Sequence, residues 1–498
     1  MIRRAFVAKV AGAALALGLA AASTAAFAQT PAAGPVVKIR QGALAGATAE
    51  GASSYLGIPY AAPPVGPLRW KPPVAAAGWS GTRDATKPGA SCEKDVEDCL
   101  YLNVTTPAGA KPGQKLPVMV WIHGGGFVIG TSMGSFGAVH DGTEFAHKGV
   151  ITVSLNYRLG HAGFFAHPAL DKEGHTANYG LADQIAALKW VKANIASFGG
   201  DPSNVTIFGE SAGGISVLYL MLAPEARGLF EKAIGESSFP RHMPYDMAKA
   251  DGMGVRAAKA AGVDGSDAAA AAALRALPLS KLPYEGGFTE RAQPILDGKL
   301  VASGITQGFA AGHQAKVPLL FGGNSNEASL FRPTVAQLDA MPPAAQAEIK
   351  AGYDPQGTGD KLRTINELVT DEFITEPDRN LARIEAKAGV PVWLYFFSFV
   401  PEKTRATSQG AGHVTEVRFV FGGDKQRFLP EEVALSKSMN AYWAAFAKSG
   451  TPDSAGGVAW PKFDLGHEAS IEFGSDGVHP HEHQFKARLD VAEKLQPK

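Results

Sequence analysis

Val205-Thr206-Ile207-Phe208-Gly209-Glu210-Ser211-Ala212-Gly213-Gly214 is the stretch on which the reading of this chain turns. An apolar, β-branched run enters Gly-x-Ser-x-Gly, and a helix-compatible run over residues 215–221 leaves it. A strand that reverses so tightly into a helix needs glycine on both sides of the serine, because side chains there would strike neighbouring backbone. The same turn lifts the Ser211 hydroxyl clear of the sheet and aims the positive end of the new helix at the reacting centre. Gly-x-Ser-x-Gly alone is common by chance. The strand before it and the helix after it give the pattern its weight.

Outward from this turn lie further short, β-rich apolar runs at residues 118–122, 150–155, 317–321 and 390–399, with helical patterns in several of the gaps. Residues 179–195 read as an amphipathic helix, with Leu181, Ile185, Leu188 and Val191 spaced for one face. Near-continuous apolar strands alternating with helices imply a mostly parallel sheet buried on both faces, an α/β fold. Residues 36–40 and 43–47 read as an antiparallel edge hairpin turning at Gln41-Gly42. From Met243 to about Leu300 the chain is Ala-rich and helical, with Ser266 or Asp267 able to cap a helix over 268–277 before Pro278 stops it. This region and residues 335–380 are expected as helical, cap-like insertions over one end of the sheet. No repeat or long linker divides the chain, so residues 29–498 are expected to form one domain.

A serine that attacks a carbonyl also needs donors for the oxyanion it creates. Residues 118–122 run directly into His123-Gly124-Gly125-Gly126-Phe127, where the absence of side chains lets a carbonyl approach backbone N–H groups. Gly125 and Gly126 are the expected donors, with Ala212 as the third because it follows the nucleophile. A phosphate-binding loop is disfavoured, since neither Gly-x-Gly-x-x-Gly nor a Lys-Ser/Thr pair accompanies the glycines. His123 adjoins the donors and is expected to hold the loop. The base must come from elsewhere, and the chain order for this arrangement is Ser, then Asp/Glu, then His. Of the histidines after Ser211, His413 lies in a glycine-containing loop between residues 390–399 and another apolar stretch, 417–421. For the acid, Glu327 follows residues 317–321, but composition alone leaves Asp371 and Glu372 open.

Lys+Arg and Asp+Glu both number 47, a balance that gives no electrostatic footprint for nucleic acid or an acidic membrane surface. A small uncharged or locally polar substrate fits better, and the chemistry requires no cofactor or metal. Met1-Ile2-Arg3-Arg4, Lys9, the Ala/Gly/Leu/Val run over residues 10–22 and Ala26-Phe27-Ala28 read as a signal peptide over residues 1–28 cut before Gln29. Arg3-Arg4 also resembles a twin-arginine signal, with Ile2 where Ser or Thr is usual. The apolar run is too short for a membrane anchor, so the expected product is exported, periplasmic or extracellular. Only Cys92 and Cys99 occur, and such a pair in an exported chain suggests a disulfide worth ~2 kcal/mol by loop entropy.

The sequence resembles the type-B carboxylesterase family, which includes bacterial para-nitrobenzyl esterases, animal carboxylesterases and cholinesterases. The resemblance rests on Gly57-Ile58-Pro59-Tyr60-Ala61, Glu97-Asp98-Cys99-Leu100-Tyr101-Leu102-Asn103-Val104, the 123–127 loop, Asn156-Tyr157-Arg158-Leu159-Gly160, Phe198-Gly199-Gly200-Asp201-Pro202, the 209–214 turn, Asn326-Glu327, and His413 with Glu416 and Phe419-Val420-Phe421-Gly422. It implies an α/β-hydrolase fold and ester hydrolysis through an acyl-enzyme intermediate. Ser211, Glu327 and His413 fall on the family's triad, Gly125, Gly126 and Ala212 on its oxyanion hole, and Cys92–Cys99 on its N-terminal disulfide. The loop between the cysteines is shorter than in cholinesterases and lacks Trp, so it offers no aromatic platform for a quaternary ammonium.

Other readings stay in view: an amidase or peptidase using the same triad, or a non-catalytic binding module of the same family. Phe127, Phe239 and Phe331 lie near catalytic loops and are expected to wall the pocket. His479, His481 and His483 are expected as exposed polar residues of an apparent loop, where Pro480 favours an extended surface segment, and not as a metal site. Asn103-Val104-Thr105 and Asn204-Val205-Thr206 match glycosylation acceptors, but each leads into an expected core element. Monomer is the default for oligomeric state.

Overall fold

Alternation along the strands explains why one sheet can be covered on both faces. Val118, Val120 and Ile122 belong to one hydrophobic cluster, whereas Met119 and Trp121 belong to another. Leu319 and Phe321 separate from Leu320 in the same way, as Val392 and Leu394 do from Trp393 and Tyr395. Successive side chains point to opposite faces of a strand, so the two clusters are the two sides of the sheet. The computed structural model describes residues 32–94, 96–135, 138–284, 290–423, 428–453 and 457–496. The expected leader, 1–28, lies outside the described residues.

Among these residues the main sheet has 13 strands. In chain order they are β1 (Ala32–Ile39), β2 (Gly42–Ala49), β3 (Ala52–Pro59), β4 (Thr82–Asp84), β5 (Tyr101–Pro107) and β6 (Leu116–Ile122). There follow β7 (Ile151–Leu155), β8 (Gly200–Glu210), β9 (Lys232–Glu236), β10 (Leu319–Asn324), β11 (Val392–Phe397), β12 (Ser470–Gly474) and β13 (Gly477–His481). The spatial order is β1-β2-β3-β5-β7-β6-β8-β9-β10-β11-β12-β13, with β4 beside β2. From β7 to β12 every pairing is parallel; the flanking strands pair antiparallel except β4, which lies parallel to β2. This is the α/β-hydrolase arrangement, with the expected hairpin at one edge.

On one face Tyr179–Asn194 and Ala212–Leu222 join the larger cluster; on the other, Pro430–Ser449 contributes Tyr442, Trp443 and Phe446. The expected insertions are present as Met247–Ala260 and Ala268–Ala276, then Val335–Asp339, Pro343–Tyr353, Lys361–Thr370 and Glu376–Lys387. Asp267 caps Ala268–Ala276 by accepting from Ala270 N at 3.0 Å.

Three expectations need correction. Tyr179–Asn194 is not amphipathic, because Asp183, Gln184 and Asn194 are buried as well. Asp183 forms a two-oxygen ion pair with buried Arg158 at 2.7 Å, Gln184 Nε2 donates to Ser216 Oγ, and Asn194 Oδ1 accepts from Arg40 N. Polar residues can face inward here because each finds a partner. The apparent loop of histidines near the C-terminus is in part an extended edge strand, as Pro480 favours, and His483 lies in the bend after it. His479 and His481 lie on edge strand β13, and His479, His481 and His483 face Asp476, Glu472 and Glu468 in turn. Finally, the apolar-run pattern left out several sheet strands: β3, β4, β5, β9, β12 and β13. The Asn103 acceptor lies in β5, where its amide is buried against Gly57 N and Ser132 Oγ.

Candidate active site

Ser211 stands between β8 and the helix Ala212–Leu222, with a φ of 55° that non-glycine residues rarely adopt. Such strain is the mark of a serine lifted on a strand-to-helix turn. The turn is held by Ser211 N donating to Glu236 O at 2.9 Å. Its glycines are required by contact: a Cβ at Gly213 would sit 1.9 Å from Ile122 O, and one at Gly209 would sit 2.6 Å from the same oxygen. Elbow and β6 therefore touch through backbone, which brings the 123–127 loop beside the serine.

His413 Nε2 lies 2.9 Å from Ser211 Oγ, and His413 Nδ1 lies 2.5 Å from Glu327 Oε2. Glu327 is fully buried and opens the 3-10 turn Glu327–Leu330 just after β10. Its other oxygen accepts from Asn324 N at 2.7 Å and Ser237 Oγ at 2.5 Å, so both oxygens are engaged. With Nδ1–H donated to Glu327, Nε2 is left to accept from the Ser211 hydroxyl. The two loops are stitched together: Asn326 N donates to Ala411 O, Ala411 N to Ser325 Oγ, and His413 N to Ser329 Oγ. Of the acids left open, Asp371 pairs with Arg488 Nε at 2.8 Å, and it is Glu327 that meets the imidazole.

Glu210 directly precedes the serine in the elbow. Its Oε1 is 3.2 Å from His413 Nε2. Glu236 and Glu416 are buried nearby; Glu236 accepts from Trp443 Nε1 at 2.8 Å, and Glu416 from Asn324 Nδ2. Burial pushes Glu210 and Glu236 well above the usual carboxylate range, and Glu416 to about 7. Burial alone would lower His413, but the charge of Glu327, together with that of Glu210 whenever Glu210 is ionised, raises the imidazole above its ordinary value. Glu210 and His413 thus compete for protons across one short contact.

His123 is fully buried, stacks on Tyr157 at 4.5 Å and meets Gly124 O through Nδ1 at 2.8 Å. Desolvation lowers its pKa to about 4, so it is a neutral brace for the loop. Gly125 and Gly126 both have positive φ, 109° and 62°, and Gly126 and Ala212 line the cavity beside Ser211. The Cys92–Cys99 disulfide is formed, and within its loop Glu93 Oε1 accepts from Gly130 N at 2.7 Å. Glu97 in the same loop holds Arg69, which also donates to Leu277 O beside the first cap helices.

Above Ser211 opens a cavity of about 410 Å³, within the usual size for small-molecule sites. Phe127, Phe239 and Phe331 all line it, together with Phe373, which sequence reasoning missed. Phe239 meets His413 edge-on at 5.9 Å, and Phe331 stacks on Phe373 at 4.3 Å. Phe373 comes from the π-helical turn Asp371–Thr375, an irregularity with no signature in a composition-based reading. Among the described residues no helix is long and apolar enough to cross a membrane.

The family model of the carboxylesterase family matches residues 33–491. Para-nitrobenzyl esterase of Bacillus subtilis is 35% identical over 476 residues, covering 88% of this chain and 94% of that protein. Fumonisin B1 esterase of Sphingopyxis macrogoltabida is 34% identical over 461 residues, covering 85% and 83%. Among solved structures, a carboxylesterase of Geobacillus stearothermophilus superposes with a TM-score of 0.79 at 31% identity, covering 92% of this chain and 99% of that one. A chain so matched along nearly its whole length, on the same fold, belongs to the carboxylesterase family and is a carboxylic ester hydrolase.

Proposed function

We propose that the ester is cleaved in two acyl transfers, with Ser211 as nucleophile, His413 as general base and acid, and Glu327 as the group that orients and stabilises the imidazolium. The observation that carries this reading is the unbroken contact from Glu327 Oε2 through the His413 ring to Ser211 Oγ, at 2.5 and 2.9 Å. His413 takes the hydroxyl proton as Ser211 attacks the carbonyl carbon. The N–H groups of Gly125, Gly126 and Ala212 hold the oxyanion, each donor worth ~3 kcal/mol of transition-state stabilisation. His413 then protonates the departing alkoxide, leaving the acyl-enzyme. Water, deprotonated by the same ring, attacks that ester, and the acid leaves as Ser211 recovers its proton.

The substrate is a small carboxylic ester whose apolar part rests against Phe239, Phe331 and Phe373. The mature chain acts after export, a reading supported by the disulfide together with the basic and apolar start of the sequence. The test is hydrolysis of para-nitrophenyl acetate, butyrate and octanoate by purified protein beside Ser211→Ala. Activity lost in a folded Ser211→Ala supports the serine mechanism. Equal rates in the two proteins would sink it. A matched anilide measured alongside separates an esterase from an amidase, because the amide's poorer leaving group demands more of His413 as an acid.

A further inference from the structure

The cavity at Ser211 is not apolar all round. Apart from the phenylalanine wall it carries Arg241, His242, Arg291 and Gln293, and among the described residues no aspartate or glutamate lines it. Acidic and basic side chains balance at 47 each over the whole chain, so two arginines in one cavity wall reflect local placement and not a basic protein at large. The two arginines come from segments 50 residues apart that are tied together: Gln293 Nε2 donates to Met243 O at 3.3 Å, and Tyr245 N to Pro294 O at 3.1 Å. Arg241 is anchored from behind. Its Nη2 donates to Glu376 at 2.6 Å, and Glu376 is fully buried outside the cavity lining. The ion pair fixes the position of the guanidinium at this wall-lining residue.

A guanidinium set into a largely apolar cavity suits a planar anion, because its N–H fork matches a carboxylate and low local dielectric strengthens the attraction. We propose that the preferred substrate is an ester that also bears a free carboxylate, such as a half-ester of a dicarboxylic acid, with the anion facing Arg241 and Arg291. The inference rests on Ser211 being the nucleophile of this cavity. It divides the site in two: the phenylalanines take the carbon skeleton, and the arginines select the charge and set which ester bond reaches Ser211.

The test compares kcat/KM, above the enzyme-free rate, within two matched pairs. 4-Nitrophenyl hemiglutarate against 4-nitrophenyl pentanoate puts the anion in the acyl half. 4-Carboxyphenyl butyrate against phenyl butyrate puts it in the alcohol half. At least one anionic ester is expected to be preferred by ~10-fold or more, and that ratio to fall ~10-fold or more in Arg291→Gln and Arg241→Gln, as for the loss of a charged hydrogen bond. Should Arg241→Gln fail to fold with Glu376 left unpaired, Arg291→Gln decides alone. No preference in either pair, or a preference that survives in every folded variant, overturns the proposal. Its failure is distinct from failure of the nucleophile: in the first case Ser211→Ala still abolishes hydrolysis of the neutral esters, and in the second it does not.

Discussion

Replacing Glu327 by Gln changes the shape of the site least and its proton arrangement most. The wild-type Oε1 accepts from two donors, Asn324 N and Ser237 Oγ, while Oε2 faces His413 Nδ1. The Ser237 hydroxyl can rotate, but the Asn324 N–H cannot become an acceptor. The glutamine must therefore place its oxygen where Oε1 was and its NH₂ toward His413. An NH₂ group only donates, so Nδ1 becomes the acceptor and the ring proton moves to Nε2, opposite Ser211 Oγ at 2.9 Å. The imidazole then offers a proton where it should take one. A wrong tautomer of this kind costs ~10⁴ in kcat, or ~5.5 kcal/mol in the barrier. The assay is saturation kinetics on para-nitrophenyl butyrate, with a thermal melt to show that the isosteric variant folds. A Glu327→Gln protein folded like wild type and within ~10-fold of its kcat would refute the tautomer argument and leave Glu327 a packing residue.

Three further outcomes follow from the same geometry. A base must be unprotonated, so kcat/KM falls as pH drops through the pKa of His413; because that pKa is raised, the acid limb should lie above the ~6.5 of an ordinary imidazole. Glu210→Gln removes the nearest lifting charge and should move the limb to lower pH, whereas a limb that stays or rises would contradict the assignment. Gly125→Ala puts a Cβ 2.1 Å from Ile129 O at a φ of 109°, so the loop must shift. Its kcat should fall ~10²–10³-fold with a smaller change in KM, and an unchanged kcat would remove Gly125 from the oxyanion hole. Arg158→Met leaves Asp183 buried without its ion-pair partner and should cost ~3–5 kcal/mol in denaturant unfolding. A loss under ~1 kcal/mol would mean the pair behaves as an exposed one.

Local sequence carried the elbow, the glycine loop and the parallel-sheet strands with apolar interiors, because each is written in consecutive residues. It did not carry β9, whose ends are Lys232 and Glu236. Both are buried in the sheet because Lys232 reaches Asn204 and Glu236 takes the Trp443 N–H. The helix Tyr179–Asn194 looked one-sided for the same reason: Asp183 is a surface residue by type and a core residue once Arg158 reaches it. Around Ser211, the choice between Glu327 and Asp371 depended on which carboxyl the His413 loop crosses, a contact 86 residues apart in sequence. Glu210 was in plain view in the elbow, yet its contact with His413 exists only after two distant loops meet. A carboxylate next to the elbow serine, at the end of an otherwise apolar strand, is the signal that could have flagged it. The arginines of the cavity wall and Phe373 had no such signal, since neither a motif nor a spacing joins them to Ser211.

The most direct test of the central claim is covalent labelling with diethyl 4-nitrophenyl phosphate, a reagent that phosphorylates an activated serine, followed by peptide mapping. The account predicts one equivalent of label on the peptide holding Ser211, loss of esterase activity in step with labelling, and no label in a folded Ser211→Ala. Activity lost with the label on another residue, or full hydrolysis by Ser211→Ala, would contradict it.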